Sequence, residues 1–282
     1  MMPSDKIANT NYLNSINRHD NITNCIDKAI DCSVWSGNWP FYYLRYGKLE
    51  LLKERLTGYN ITKAFVSPIE AILEQDTARA NKNLLESIDN MKDDFFSPVP
   101  VIDLSYPNWE EAAIEIVANS QNVKMIKLLP NYHVYSLNED NLGKLVEYTM
   151  KHNLVISIQV RIEDARRQYP LMKVSDVDII QDIKVLSYFP EQTFVISNGY
   201  LNEVEQVLYS LDNVYVDISS AEKQDVLTYL CKKYGSERLI FSTHCAFYCP
   251  EGNIFKLAYS GLDDDSLERV AYSNAKNLLG AK

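Results

Sequence analysis

Short apolar runs alternate with amphipathic segments along most of the chain. Eight of these runs have the length and the continuous apolar character of strands that are buried on both faces. They cover residues 29–34, 63–66, 98–104, 123–128, 154–160, 193–197, 214–218 and 238–241. Between them, apolar residues recur at the i, i+3, i+4 spacing of a helix that buries one face, as at Leu142, Leu145 and Val146. The pattern therefore predicts strands that alternate with helices.

Successive strand candidates lie about 30 residues apart, which is the length of a β-crossover-β unit. Eight such units predict an α/β fold, a single-domain (β/α)8 TIM barrel over residues 28–282. The competing fold, a doubly wound sheet, would normally have a glycine-rich first turn, whereas residues 36–43 (SGNWPFYY) are rich in aromatic side chains. Residues 1–27 are predicted to be an N-terminal extension, and residues 265–279 a closing helix that ends at Gly280.

Composition narrows the class of protein further. The content of 46% hydrophobic and 23% charged residues is that of an ordinary globular protein. A net charge of −10 argues against nucleic acid and anionic membranes as partners, because both attract basic surfaces. Neither a signal peptide nor a membrane-spanning stretch is predicted. Five cysteines without paired spacing indicate free thiols, so we expect a cytoplasmic protein, and a homodimer is left open.

Polar residues at the carboxyl ends of the predicted strands are the candidates for chemistry, since active sites of barrels lie there. His244 is the candidate acid or base near neutral pH, and Lys127 and Asp31 complete the predicted catalytic set. Lys127 and Arg161 provide cations for a small carboxylated ligand. The predicted ligand-binding residues are Arg161, Arg166, Gln159, Asn198, Trp35, Trp39 and Tyr42, with Tyr43 in the same aromatic wall.

Each of these residues also has a structural interpretation. Arg161 could belong to an ion-pair network with Glu163 and Asp164, and Lys127 to a salt bridge at the end of its strand. His244 could be a buried histidine with satisfied hydrogen bonds. Because two buried cations require a counter-charge, we expect Glu163, Asp103 or an anionic ligand beside Lys127 and Arg161.

Four segments resemble the amidohydrolase superfamily, in its amidohydrolase-related branch of TIM barrels. Residues 29–37 (AIDCSVWSG) are similar to its opening strand, where an Asp precedes a His-x-His pair, and residues 125–132 (MIKLLPNY) to its fourth strand. Residues 159–166 (QVRIEDAR) resemble the end of the fifth strand. Residues 238–244 (RLIFSTH) and 273–279 (SNAKNLL) resemble the last strand and the closing helix. The resemblance spans residues 28–282 and implies the same barrel.

The resemblance also implies a divalent metal, held by the His-x-His pair, by histidines on strands five and six and by an Asp on strand eight. Those positions are Ser33, Trp35, Gln159, Asn198 and His244 here, and Lys127 matches a position that is a bridging ligand in some members. Indole and amide groups are poor substitutes for imidazole, so we expect no cofactor and a degenerate metal site, with zinc as the alternative. His244, Cys245 and Cys249 could form a different cluster, but we interpret the thiols as buried.

Three functions remain after these considerations. The first is an amidohydrolase-like hydrolase, lactonase or decarboxylase that acts on a small carboxylated compound without the usual metal. The second is a catalytically inactive protein that binds or senses a small molecule on the same barrel. The third, a structural interaction protein, is disfavoured because it gives no role to the cations at the strand ends.

Overall fold

The computed structural model describes residues 26–74, 76–111, 113 and 122–280. Its strands are β1 Ala29–Ser36, β2 Ile61–Pro68, β3 Phe96–Pro98, β4 Met125–Leu128, β5 Val155–Gln159, β6 Phe194–Ser197, β7 Val214–Asp217 and β8 Leu239–Ile240. Its helices are α1 Leu49–Thr57, α2 Thr77–Met91, α3 Glu139–His152, α4 Ile179–Leu186, α5 Leu201–Ser210, α6 Val226–Tyr234, α7 Pro250–Ala258, α8 Asp264–Glu268 and α9 Asn274–Leu279. A 3₁₀ turn spans Glu70–Ile72, and a π turn spans Arg269–Ser273.

The strands pair in parallel and in sequence order, as β1-β2-β3 and as β4-β5-β6-β7-β8. A parallel bridge between Val101 and Lys127 joins the two sheets on one side. On the other side, the Cys32 amide donates to the Phe241 carbonyl at 3.0 Å and the His244 amide donates to the Ser33 carbonyl at 3.1 Å. The sheet thus closes on itself, and the predicted (β/α)8 barrel is confirmed.

Two predicted elements differ in the structure. The third strand was expected over residues 98–104, but β3 covers Phe96–Pro98. Beyond it, the Val99 amide donates to the Val66 carbonyl at 2.7 Å, and Val101 forms an isolated bridge with Lys127. Pro98 and Pro100 lack the amide hydrogens that a continuous ladder would need.

The closing helix is also not continuous over residues 265–279, because a π turn separates α8 from α9. There the Val270 carbonyl accepts the Phe241 amide at 3.0 Å and so ties the helix to the end of β8. The predicted end of the helix is correct: Gly280 follows α9 with φ 58°, in the left-handed region.

Residues that point into the barrel change from apolar to polar along each strand. On β4, Met125 lies in the apolar interior and Lys127, two residues later, in the polar part; on β5, Val155 is followed by Ser157 and Gln159. The same step of two residues leads from Val195 to Ser197 on β6 and from Tyr215 to Asp217 on β7. Since side chains of a strand alternate between faces, this register places the polar groups together at the carboxyl ends.

Outside the barrel interior, three observations concern the sequence predictions. Ile26, placed in the predicted extension, is buried against the barrel core, and residues 1–25 lie outside the part of the chain that the structure describes. Cys249 is exposed at the start of α7, so the prediction of a buried thiol is wrong there, whereas Cys32 and Cys245 are buried. Among the described helices, none has the length and apolar character to cross a membrane.

Candidate functional site

Lys127 lies at the centre of the polar end of the barrel. Its Nζ donates to Ser33 Oγ at 2.8 Å and to Gln159 Oε1 at 3.1 Å, and it lies 4.5 Å from the centre of a Trp35 ring. The side chain is fully buried. Burial lowers the pKa of Lys127 to about 7, although the charges of Asp217 and Asp31 oppose the shift.

Two buried carboxylates balance this ammonium group. Asp31 accepts hydrogen bonds from the Thr243 hydroxyl at 2.5 Å and from the amides of Thr243 and Ser33 at 3.1 and 3.2 Å. Asp217 accepts from the Ser219 hydroxyl at 2.6 Å and from the amide of Asn198 at 3.1 Å. Burial raises the pKa of Asp31 to about 7 despite these hydrogen bonds.

Both ring nitrogens of His244 have partners. Trp35 Nε1 donates to His244 Nδ1 at 3.2 Å, so Nδ1 has no proton and Nε2 bears the hydrogen that is donated to the Ile162 carbonyl at 2.8 Å. Asn198 Nδ2 lies 3.3 Å from the same Nε2. Burial, together with the charges of Lys127 and Arg161, lowers the pKa of His244 to about 3. The imidazole is therefore neutral at physiological pH.

Arg161 is neutralised within the fold. Its Nη2 donates to both oxygens of Glu203 at 2.7 Å, its Nε donates to Asp176 at 3.0 Å, and its Nη1 donates to the Asn198 carbonyl. The guanidinium also stacks over the Tyr200 ring at 3.5 Å. The structural alternative for Arg161, an ion-pair network, thus has Glu203 and Asp176 as its carboxylates and not Glu163 and Asp164.

Glu163 and Asp103, the two expected counter-charges, have other partners. Glu163 accepts a hydrogen bond of 2.5 Å from the Tyr42 hydroxyl, and Asp103 lies 3.8 Å from His133 Nδ1. The cations at the strand ends are thus balanced by Asp31, Asp217, Glu203 and Asp176, and they do not require an anionic ligand.

The structure brings most of the predicted site residues together. Asp31, Lys127, Gln159, Arg161, Asn198 and His244 form one buried hydrogen-bonded group at the carboxyl ends of the strands. Trp35 and Trp39 lie above it in an aromatic layer, with Phe247 at ring-centre distances of 6.0 and 5.2 Å. Tyr42 lies at the edge of this layer.

Arg166 does not belong to the group: its side chain is 89% exposed and pairs with Asp164. Tyr43, predicted in the aromatic wall, is also exposed. Sequence reasoning did not select Glu203 or Asp176, and it left Asp217, one of the polar residues at strand ends, out of the predicted site. For Asp217 a signal existed, because it ends an apolar strand. Glu203 lies on α5 and Asp176 in the loop before α4, and only tertiary contacts reveal their role.

The residues at the positions that resemble metal ligands do not fit a divalent metal. The Ser33 and Gln159 oxygens are turned to the Lys127 ammonium, and Asn198 Oδ1 accepts from the hydroxyls of Ser219 and Ser220. The Trp35 indole offers only a donor, and it occupies the lone pair of His244 Nδ1. Within the described part of the chain, no three His, Cys, Asp or Glu residues form a metal-binding group. A divalent ion would in addition be repelled by Lys127.

The buried imidazole predicts a specific dependence of stability on pH. The unfolded histidine takes up a proton near pH 6.5, whereas folded His244 does so only near pH 3. The contribution of the neutral imidazole to stability is therefore complete above pH 6.5. As the pH falls below this value, the unfolding free energy decreases by about 2–3 kcal/mol over two pH units. In His244→Gln this part of the dependence should disappear, which urea unfolding at several pH values would measure. The exposed His152 provides the matched control, His152→Gln, which should keep the wild-type profile. Parallel profiles for wild type and His244→Gln would contradict the assignment.

Comparison with known proteins identifies the family of this chain. A family model described as amidohydrolase matches residues 58–281. A dihydroxybenzoic acid decarboxylase from Polaromonas sp. JS666, solved with manganese and 2-nitroresorcinol, is similar at a TM-score of 0.71 and 12% identity over 90% of this chain and 97% of that chain. A 5-carboxyvanillate decarboxylase from Novosphingobium aromaticivorans DSM 12444, solved with manganese and 4-hydroxy-3-methoxy-5-nitrobenzoic acid, gives a TM-score of 0.68 and 10% identity over 91% and 97% of the two chains.

A candidate amidohydrolase from Staphylococcus aureus is similar at a TM-score of 0.69 and 15% identity over 90% of this chain and 99% of that chain. At these identities the solved structures support the fold alone. No curated protein sequence matches closely enough to identify a relative. The family model, which covers most of the barrel, decides the assignment: this chain belongs to the amidohydrolase family.

Proposed function

We propose that this protein binds a small carboxylated compound and does not transform it. It would then be a binding or regulatory protein on an amidohydrolase barrel. The observation that supports this best is the Lys127 ammonium, which is bound to Ser33 and Gln159, two of the positions that resemble metal ligands. An internal cation thus uses the oxygens to which a metal ion would have to bind.

The state of the candidate catalytic groups supports the same proposal. A general acid or base has to reach the substrate within hydrogen-bonding distance. Asp31, Lys127 and His244 are each fully buried, and each has hydrogen-bond partners within the fold. Trp35 separates Lys127 from Phe247 in the aromatic layer above.

A second candidate function is a metal-independent hydrolase or decarboxylase that acts on a small carboxylated aromatic compound. The observation in its favour is that Ser33 links the two groups, since its hydroxyl accepts from Lys127 at 2.8 Å and its amide donates to Asp31 at 3.2 Å. Burial brings the pKa of each to about 7, which suits proton transfer at physiological pH. The similar decarboxylases, which were solved with benzoic acid or resorcinol derivatives, suggest the substrate class.

One experiment distinguishes the two functions. Purified protein, with its metal content measured, is incubated with 2,6-dihydroxybenzoate and with 5-carboxyvanillate, with and without added Mn²⁺, and the products are quantified by chromatography. We expect substoichiometric metal, no product under either condition, and binding of a carboxylate in calorimetry. Turnover that requires Mn²⁺ would overturn the proposal, and turnover without metal would establish the second function.

A further inference from the structure

Glu163 is a buried carboxylate without an ion-pair partner among the residues that the structure describes. It lies in the loop between β5 and α4, and it is only 2% exposed. Two other acidic residues of the same loop are paired: Asp164 with Arg166 at 2.8 Å, and Asp176 with Arg161 at 3.0 Å. Buried charges in proteins are normally paired, because their desolvation is costly. Glu163 therefore keeps a negative charge that invites a cation.

Only one of the two carboxylate oxygens is used within the fold. Glu163 Oε1 accepts the Tyr42 hydroxyl at 2.5 Å, whereas Oε2 accepts no hydrogen bond from the described residues. Oε2 is not among the unpartnered polar atoms that are sealed from solvent, so solvent reaches it. The Arg167 guanidinium lies 5.6 Å from the centre of the Tyr42 ring and donates to the Phe247 carbonyl at 3.5 Å, without pairing with Glu163. Oε2 is thus an accessible acceptor.

Three tyrosines from three loops lie beside this carboxylate. Tyr42 follows β1, Tyr132 follows β4 and Tyr248 follows β8, and all three pack against the aromatic layer. Burial, together with the charges of Glu163 and Asp176, raises the pKa of Tyr132 above its ordinary value. Within the described part of the chain, the hydroxyls of Tyr132 and Tyr248 have no hydrogen-bond partner, and neither is sealed from solvent. The carboxylate thus has aromatic rings and free hydroxyl groups as neighbours.

A cavity of about 830 Å³ adjoins these tyrosines. It lies between the loops that follow β4 and β5, and Tyr132 forms part of its wall together with Tyr135. Its charged lining residues are Asp176, Asp178, Asp182, Lys173 and Lys184, so acidic groups outnumber basic ones. The volume is within the range of small-molecule sites. A ligand whose charged group reaches Glu163 therefore has room for its remaining atoms.

We propose that Glu163 and the tyrosines beside it bind the ammonium group of a small primary amine. Its three N–H donors would match three free acceptors, which are Glu163 Oε2 and the hydroxyl oxygens of Tyr132 and Tyr248. The tyrosine rings would attract the cation in addition. The inference deepens the proposed function and rests on it, because a carboxylated ligand that also carries this group would be an amino acid or a related amino-carboxylate.

Four molecules with the same number of carbons test the inference in calorimetry: butylammonium, 4-aminobutyrate, butyrate and butan-1-ol. At neutral pH, wild-type protein should bind butylammonium with an affinity that decreases as salt increases, and it should not bind butan-1-ol. Glu163→Gln should bind butylammonium at least about tenfold more weakly, and it should lose the preference of wild type for 4-aminobutyrate over butyrate. The matched control is Glu191→Gln, which removes an exposed charge just before β6, at the other end of the barrel, and should bind as wild type does.

Two tyrosine variants separate ligand binding from a structural role of Glu163. Tyr132→Phe keeps the ring but loses a free hydroxyl, so the affinity for butylammonium should decrease by about threefold. Tyr42→Phe removes the internal donor to Glu163, so both carboxylate oxygens become available and the affinity should increase by about threefold. If Glu163 only anchors Tyr42, then Glu163→Gln and Tyr42→Phe should both lower the melting temperature while butylammonium binding stays unchanged, and this result would overturn the inference.

The same molecules distinguish failure of the inference from failure of the proposed function. Binding of butyrate without binding of butylammonium would contradict the inference and leave the proposed function standing. Binding of butylammonium that depends on Glu163, without binding of either carboxylate, would keep the ammonium site and contradict the proposed function. Absence of binding by all four molecules would contradict both.

Discussion

Replacing Lys127 by methionine is expected to lower the free energy of unfolding by about 1–3 kcal/mol, the cost of leaving buried hydrogen-bond acceptors without their donor. The substitution keeps the length of the side chain but removes the donor to Ser33 and Gln159. It also leaves Asp31 and Asp217 buried without the cation that they face. Unfolding in urea, followed by circular dichroism, would give the free energy. The matched control is Lys124→Met, since Lys124 is exposed just before the same strand.

The pH dependence identifies the cause of this loss. The pKa of Lys127 is about 7 in the folded protein and 10.5 in the unfolded chain. Its contribution to stability is therefore complete above pH 10.5, decreases as the pH falls, and is lost as the pH falls through 7. Asp31 has the opposite sign: its contribution is complete below pH 3.8 and is lost as the pH rises through about 7. In Lys127→Met, the increase in unfolding free energy that wild type shows above pH 7 should be absent. Equal differences between wild type and variant at pH 5, 7 and 9 would show that the ammonium charge plays no part.

The barrel could be predicted from the sequence because its strands are buried on both faces. Where strands and helices alternate along a chain, continuous apolar runs such as 154–160 and 193–197 are typical of strands in a parallel sheet that is covered on both faces. The third strand was placed too far along the chain, although Pro98 and Pro100, which cannot donate to a continuous ladder, are visible in the sequence. The break between α8 and α9 depends on a hydrogen bond from β8, which lies about 30 residues away in sequence.

Part of the site could be predicted because the ends of the strands could be predicted. Residues at strand ends follow from the strand register, so Asp31, Lys127 and Asn198 could be named together. Their partners on helices and loops could not be predicted in this way. Arg161 was interpreted as a ligand-binding cation because its ion pairs with Glu203 and Asp176 are not visible in the sequence. The aromatic run after β1 was recognised, but the hydrogen bond of 2.7 Å from the Gly37 amide to the Gly47 carbonyl, which closes this loop, appears only in three dimensions.

Arg161→Ala is expected to lower the unfolding free energy by about 3–5 kcal/mol, because it leaves the Glu203 carboxylate, mostly buried, without its charged partner. Arg161→Lys should not restore stability, since one ammonium cannot donate to Glu203, to Asp176 and to the Asn198 carbonyl from three separate nitrogens. The control is Arg166→Ala, in which an exposed guanidinium is lost and no measurable change is expected.

Calorimetry with benzoate, used as a small carboxylate probe on the same variants, separates a structural role of Arg161 from a ligand-binding role. If Arg161 only holds Glu203 and Asp176 in place, Arg161→Ala should melt at a lower temperature yet bind benzoate as wild type does when both are assayed well below their melting temperatures. Loss of affinity at unchanged stability would instead place the carboxylate at the strand ends. In that case the guanidinium would have to leave Glu203 to reach the ligand, and Glu203→Gln, which weakens this competition, should then strengthen binding.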